Sequence, residues 1–497
     1  MSASQGIPQE AVAAKGLKEL AGPLIAIIVG IFMAILDSTA VNVAVPELVK
    51  QFNSTLSIVQ WTITGYTLAQ AAVIPLAGWL SDRFGARKIY ILSIIMFTLG
   101  SLLCTLATDA PQLIAFRVLQ GLGGGMVMPI AMAMIYRLSP RDKVGAIMGI
   151  MGMPILLAPA IGPVLSGYLV DYVQWQWIFL INLPVGILAV FMALKFVPVL
   201  ESKASTSFDF LGVLLGPIAF ASISYGISEG GTSWTSTETI TGITVGIVAL
   251  VLFVIVELTR KEQPLLELRV FKSMSFTRGI FTQWTMQFVM FGVIFLVPFY
   301  MQRLMGMTAF EAGYWTLPQA LAAGFLMPVG GRLYDKIGPR PLVITGLTFV
   351  AIGAFLISKV TPQDAASAFL IPRILFGAGM GMSFLSLNTF LMQSAPQNLV
   401  SRVTSLTSAL QQVVTSLSVA GLTTILVNRT TAHIDAGDAP QAAFPNAFQD
   451  VYLILMCIAI VGILLGATLT KIQKDPKPVA KTNDVDDDDA PMIIAEM

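Results

Sequence analysis

The sequence predicts an all-α integral membrane protein, a bundle of fourteen membrane-spanning helices, on three observations. Hydrophobic residues fill 55% of the 497 positions and charged residues 11%, about half the charge fraction of a soluble domain. The apolar residues collect into fourteen runs of about twenty, the length that carries a helix across a hydrocarbon core of about 30 Å. Lysine and arginine then fall overwhelmingly on one side of the membrane.

The runs cover 21–45, 56–80, 89–107, 112–136, 144–169, 177–197, 211–228, 240–258, 278–301, 309–333, 340–360, 366–390, 400–427 and 452–471. With the N-terminus in the cytoplasm, 23 Lys and Arg lie in inner segments and 4 in outer loops (Lys50, Arg303, Lys359 and Arg429), leaving Arg117 and Arg373 at or within helices. That asymmetry places both termini in the cytoplasm, which requires an even number of spans. Residues 1–20 read as a cytoplasmic segment without a cleavable signal, because they are polar and the apolar run from Ala21 is too long for a signal core. The acid-rich tail 472–497 reads as disordered and solvated.

Composition argues against other functions. A net charge of +1 gives no bulk attraction to nucleic acid. Cys104 and Cys457 both fall in apolar runs and read as packing residues. The one histidine, His433, sits in a polar loop, so histidine metal sites and histidine proton relays are not expected. There is no nucleotide-binding loop. The expectation is a transporter, not an enzyme, with no cofactor and driven by an ion gradient.

The chain repeats itself at long range. Gly78-Trp-Leu-Ser-Asp82-Arg83-Phe-Gly85-Ala-Arg87 matches Gly331-Arg-Leu-Tyr-Asp335-Lys-Ile-Gly338-Pro-Arg340 at an offset of 253. Arg117-Val-Leu-Gln120-Gly121 matches Arg373-Ile-Leu-Phe376-Gly377 at 256, and Ser139-Pro140 is echoed by Ala395-Pro396. The copies are eight spans apart. Two six-helix halves need only six, so the seventh and eighth runs are an insertion. The expected layout is a half over 21–200, a linker with two inserted helices over 201–275, and a second half over 276–471. A central cavity between such halves is where a transporter of this kind binds substrate.

Four motifs carry candidate chemistry. The run 78–88 forms a tight inner loop: Gly78 permits close helix contact, Gly85 permits the turn, and Asp82 can meet a neighbouring helix N-terminus or pair with Arg87. With Arg83, Lys88, Asp335 and Arg340 it reads as a latch between helices that breaks when the halves rock. Asp37 lies well inside the first run, where a carboxylate is expensive and marks function; it is the only acid expected so deep, since Glu257 and the others fall near helix ends. Arg117 opens the fourth run, either as a partner for such an acid or snorkelling to the outer interface. Ala158, Gly162 and Ser166, spaced by four, form a small-residue face for close helix contact, with Pro163 as a bend and Gly167 beside it.

These motifs together resemble the major facilitator superfamily, and within it the fourteen-helix drug:proton antiporters of the EmrB/QacA type. The 78–88 run resembles the family's signature loop, Leu36 to Pro46 its first-helix motif, Arg117 to Gly125 its fourth-helix motif, and Gly149 to Gly167 its fifth-helix antiporter motif. Trp177 to Gly186 and Phe208 to Gly212 also fit; Ala158 and Ser166 stand where glycine is usual. The resemblance implies a 6+2+6 major facilitator fold with pseudo-twofold halves, proton coupling through Asp37 and Arg117, and export of lipophilic or amphiphilic drugs. Its partners would be drugs, protons and membrane lipid, and its setting a bacterial inner membrane, as a monomer. A dedicated exporter of one antibiotic, metabolite or lipid is the alternative. A single embedded carboxylate suits a proton better than coordination of a sodium ion.

Overall fold

The structure, a computed structural model, describes residues 17–140, 143–199, 209–231, 233–259, 265–396 and 399–470. The readings of 1–16, of 201–208 in the linker and of the tail 472–497 lie outside the described residues.

The described residues are helical almost throughout. The first half holds α1 (Leu17–Gln51), α2 (Leu56–Phe84), α3 (Ala86–Thr105), α4 (Ala110–Leu138), α5 (Val144–Tyr172), the single turn α6 (Trp177–Leu180) and α7 (Asn182–Phe196). The insertion holds α8 (Phe210–Gly230) and α9 (Thr237–Thr259). The second half holds α10 (Met274–Leu304), the short α11 (Ala309–Tyr314), α12 (Leu317–Ile337), α13 (Pro339–Ile357), α14 (Leu370–Gln393), α15 (Val400–Asp435) and α16 (Pro440–Ala467). Helix is imposed by the solvent, since in lipid every backbone donor must be satisfied within the segment.

Thirteen helical segments among the described residues are long and apolar enough to cross a membrane. The expected span at 309–333 is helical as α11 and α12 but falls short of that measure, because Pro318, Gln319, Pro328 and Arg332 interrupt the apolar residues of α12. Two helices run well past the apolar stretches that announced them: α15 continues to Asp435, and α16 starts at Pro440, twelve residues before its expected start. Ala, Gln and Thr carry the helix on beyond the hydrophobic core. The expected single span at 177–197 is broken after Leu180, where Pro184 has no N–H to return to the Leu180 carbonyl.

Each half has its own apolar core. One gathers Ile27, Tyr90, Phe97, Val127 and Ile147; the other gathers Val289, Tyr300, Leu347, Phe376 and Tyr452. Between the halves, α5 packs against α12 and α2 against α15. The α8–α9 hairpin docks through α8 onto both α2 and α15, so it straddles the seam. Phe220 and Phe253 of the hairpin enter a third cluster with Trp79 of α2 and Val403 and Leu406 of α15. At the other end of the hairpin, Trp234 Nε1 donates to Thr424 Oγ1 at 2.6 Å.

Candidate functional site

Asp37 is 1% exposed and Arg117 likewise. Arg117 therefore does not snorkel. Its Nη1 donates to Asp37 Oδ2 at 2.7 Å and to Gln120 Oε1 at 2.6 Å, and its Nε donates to the Thr62 carbonyl at 3.2 Å. The guanidinium lies over the Tyr66 ring, 3.9 Å from its centroid. The other carboxylate oxygen of Asp37 accepts from Gln120 Nε2 at 3.0 Å and Asn182 Nδ2 at 2.7 Å. Asn182 also reaches Ser101 Oγ, which donates to the Phe179 carbonyl. Both Asp37 oxygens and the Nε and Nη1 of Arg117 are thus hydrogen-bonded, which is how a buried ion pair is tolerated. Both oxygens act only as acceptors, as in a carboxylate.

Sequence reasoning missed Asn182. Its position follows from the break between α6 and α7, which sets it at the first turn of a new helix with its amide turned inward. The break was legible in Pro184, but its aim was not.

At the opposite depth, the two signature loops do the same job on opposite halves. Gly85 and Gly338 end α2 and α12 with φ of 93° and 85°, conformations that favour glycine. Just before these turns, Asp82 Oδ1 accepts from Arg137 Nη2 at 3.2 Å, and Asp82 Oδ2 from Arg402 Nε at 3.4 Å. Arg137 Nη2 also donates to Ser401 Oγ at 2.7 Å. Asp335 accepts from the backbone N–H of Gly145 at 3.0 Å and Ala146 at 2.9 Å, the open N-terminus of α5. Residues 145 and 146 correspond to 401 and 402 at the offset of 256, so each aspartate meets the N-terminal turn of the matching helix in the other half. A carboxylate there also complements the helix dipole.

The backbones touch at the same places. A Cβ on Gly78 would stand 2.5 Å from the Ser401 carbonyl oxygen, and one on Gly145 would stand 2.6 Å from that of Gly331. At this end the two halves are in close backbone contact.

The remaining loop residues do not form the latch as expected. Asp82 does not pair with Arg87; Arg87 instead donates to the Leu194 carbonyl within its own half. Arg83 lies over Trp79, 5.3 Å from the ring centroid. Lys88 and Arg340 are exposed. The partners that cross the seam, Arg137, Ser401 and Arg402, were not among the expected residues, although the repeat offset maps 401 and 402 onto the α5 N-terminus.

The fifth-helix motif also differs in what it touches. Gly162 abuts Thr39 and the Leu36 carbonyl of α1, within its own half. The contact between halves falls earlier on α5, where Gly145 and Gly149 face Gly331 and Met327 of α12. Ala158, Ser166 and Gly167 are buried, and the Pro163 side chain lies outside the described residues. Asp37 is not the only buried acid either: Asp82, Asp209, Glu257 and Glu267 are all at most 6% exposed. Cys104 is buried beside Gln120, whereas Cys457 is exposed on the outside of the bundle.

A small cleft, with a cavity volume of about 30 Å³, lies between the halves, lined by Met128 and Met132 of α4, Asn388 and Met392 of α14, and Thr404 and Gln411 of α15, among others. No charged side chain lines it, and neither Asp37 nor Arg117 does.

A buried carboxylate–arginine pair in one half, mirrored latches and a cleft on the seam define a membrane transporter of two repeated halves. The chain belongs to the major facilitator superfamily, whose family model matches residues 27–210 and 204–419, and within it to the drug-efflux transporters. It is 36% identical over 399 residues to a Mycobacterium tuberculosis multidrug resistance protein B homolog, 79% of this chain and 74% of that one. It is 32% identical over 461 residues to the Bacillus subtilis lincomycin resistance protein LmrB, 91% and 96% of the two chains. An uncharacterized MFS-type transporter of Bacillus subtilis, YhcA, is 33% identical over 89% of this chain and 84% of its own. Among solved structures, the fold matches the proton:xylose symporter XylE with a TM-score of 0.64 at 16% identity, over 91% of this chain and 96% of that one.

Proposed function

We propose that the protein is a proton-coupled antiporter that exports lipophilic or amphiphilic compounds from the cytoplasm or inner leaflet by alternating access. It works as a monomer of fourteen spans arranged 6+2+6 in a bacterial inner membrane, both termini cytoplasmic, without a cofactor. The single observation that carries this is the buried Asp37–Arg117 ion pair, 2.7 Å apart, with both carboxylate oxygens hydrogen-bonded. Protonating Asp37 cancels the attraction that holds Arg117, Gln120 and Asn182 around it, so one proton rearranges contacts among α1, α4 and α7. A change of charge at one buried point biases an equilibrium between two packings only through such differential contacts.

The latch residues Asp82 and Asp335, with Gly78, are proposed to hold the cytoplasm-closed state. The substrate cleft has neutral polar groups among Met and Phe side chains, which suits adaptable contact with uncharged or zwitterionic amphiphiles. Because Asp37 lies off that cleft, proton and substrate act through conformation and do not compete for one carboxylate in this state. The second reading, a dedicated antibiotic exporter, is favoured by one observation: the relative matched along 96% of its own length carries the name of a single antibiotic.

The test is transport in proteoliposomes under an imposed pH gradient, with a panel of lipophilic dyes and antibiotics that includes lincomycin. Uphill movement of several unrelated amphiphiles, collapsing with the gradient, is the expected result. Movement of one compound only selects the dedicated exporter, and gradient-independent movement sinks proton coupling.

A further inference from the structure

The second half contains an arginine that the transport scheme does not use. Arg373 stands on α14 where Arg117 stands on α4, at the offset of 256, and it is equally buried, 1% exposed. The surroundings have diverged. Where Gln120 braces Arg117, the second half has the buried Phe376. The stretch of α10 that corresponds to the Asp37 region of α1, 289–297, contains no acid.

The consequence is visible in the hydrogen bonding. Nε and Nη2 of Arg373 are buried with no hydrogen-bond partner, and among the described residues no carboxylate pairs with it. The Tyr452 hydroxyl on α16 is fully buried and also without a partner, and it lies near enough to Arg373 for the two to interact electrostatically.

A guanidinium offers only donors, and a phenol offers one more. An uncompensated cation in a low-dielectric interior is among the most expensive arrangements a fold can hold. Buried donors without an acceptor, beside one uncancelled positive charge, call for a single negative charge. We propose that Arg373 and Tyr452 bind a small monovalent anion of the chloride type, which occupies in the second half the electrostatic place that the Asp37 carboxylate occupies in the first. One cation is matched by one charge, so a multivalent anion does not fit. The half that needs a titratable partner has a covalent acid, and the half that needs a permanent partner recruits one from solution.

The experiment uses the purified full-length protein in detergent, with thermal unfolding followed as chloride replaces gluconate at constant ionic strength and pH. At chloride 100 times above the dissociation constant, a one-site ligand shifts the folding equilibrium about 100-fold, so Tm rises by several degrees and saturates. Arg373→Gln abolishes the chloride-dependent rise, and in gluconate it is at least as stable as the wild type, because an unpaired buried charge has gone. Tyr452→Phe keeps the guanidinium and loses one donor, so the chloride midpoint moves up about tenfold. It is also the variant to rely on if Arg373→Gln fails to fold. Asp37→Asn retains the full chloride response, which separates this site from the proton site. Equal Tm in both salts overturns the proposal. So does an unchanged response in Arg373→Gln, which means an adventitious ion only. A rise with acetate or benzoate but not chloride also overturns it, reassigning the site to carboxylate compounds.

Discussion

Replacing Asp37 by Asn keeps the shape of the side chain and removes its charge and titration. The substitution leaves Arg117, 1% exposed, with its strongest partner gone and an amide N–H₂ facing either its own Nη1 or the donors of Gln120 and Asn182. Removing one member of a buried ion pair costs about 3–5 kcal/mol, because the other charge remains buried and uncompensated. That is a large part of an ordinary folding free energy of about 5–15 kcal/mol. The single variant should therefore unfold at a markedly lower temperature. Arg117→Gln should do likewise, and the double variant should recover much of the loss, since no uncompensated charge is left. A coupling energy of at least about 2 kcal/mol in this cycle is expected for groups in direct contact. In proteoliposomes, Asp37→Asn, assayed at a temperature where it remains folded, should bind substrate but fail to concentrate it under a pH gradient, and the double variant should fail equally despite its recovered stability. That split between stability and coupling is what distinguishes a proton carrier from a structural pair. If Asp37→Asn still drives uphill export with normal pH dependence, the coupling acid lies elsewhere; if the double variant is as unstable as the two losses added, the pair is not one unit.

At the latch, Gly78→Ala places a methyl carbon 2.5 Å from the Ser401 carbonyl, too close for the closed packing. Transport should fall at least tenfold, and a cysteine at buried Ser405 should become more reactive to thiol reagents. Asp82→Ala removes the acceptor shared by Arg137 and Arg402, and should cut transport strongly while leaving substrate binding by purified protein nearly unchanged; an equilibrium binding assay checks it, and lost binding with normal cycling contradicts it. For topology, exposed Lys88→Cys and Thr235→Cys should differ, with an impermeant reagent labelling only the second in intact cells; the reverse sinks the orientation. At the far end of α15, His433 Nδ1 and Nε2 each lie 2.9 Å from a carboxylate, Asp438 and Asp450, with Arg429 also on Asp450 and Asp435 nearby on α15. Only the imidazolium donates from both nitrogens. Hydrogen bonds from Asn446 and His433 hold the Asp438 carboxyl below its usual range. A lowered carboxyl stabilises above its unfolded value of about 3.9 and loses that contribution as pH falls through its folded one. Hydrogen exchange at 433–446 should therefore be slowest in weakly acidic buffer, rising on both sides of it, and His433→Gln should lose the alkaline limb only.

How much of this was legible in the sequence follows from the distance over which each constraint acts. The many membrane-length helices were written in composition, because the bilayer imposes length and apolarity locally, and thirteen segments among the described residues meet that measure. Asp37 stood out because an acid amid apolar residues needs a partner, and Arg117 was the nearest candidate in kind. Gly85 and Gly338 were legible as turns because a positive φ is a property of one residue. What crosses the seam was not: Asp82 meets Arg402 across 320 positions, and no periodicity in either helix encodes that approach. The small face at 158–166 shows the same limit, since its spacing announces a close helix contact without naming the helix, which is α1 and not the other half. Even so, the repeat held unused information. Adding 256 to the α5 N-terminus gives 401 and 402, where Asp82 is met.

The element on which the proton site and the latch converge is α5. Near its middle, Gly162 is seated against Thr39, two residues from Asp37 on α1. At its start, Gly145 and Ala146 are held by Asp335 at 3.0 and 2.9 Å. The 17 residue steps between rise about 25 Å along the helix. A tilt of only about 5° about the Gly162 contact moves the far end by about 2 Å, enough to carry a 3 Å hydrogen bond beyond any useful length. On the proposed mechanism, a repacking of α1 too small to open anything at Asp37 would be amplified into release of Asp335. Because Gly145 also fits against the Gly331 carbonyl, the backbone contact and the hydrogen bonds fail together, which makes the latch two-state and not gradual. By the same lever, a substrate that wedged the seam beside Ile155, between the two contact points on α5, would act on the tilt that the proposed proton acts on, and exchange of one for the other would require no shared site.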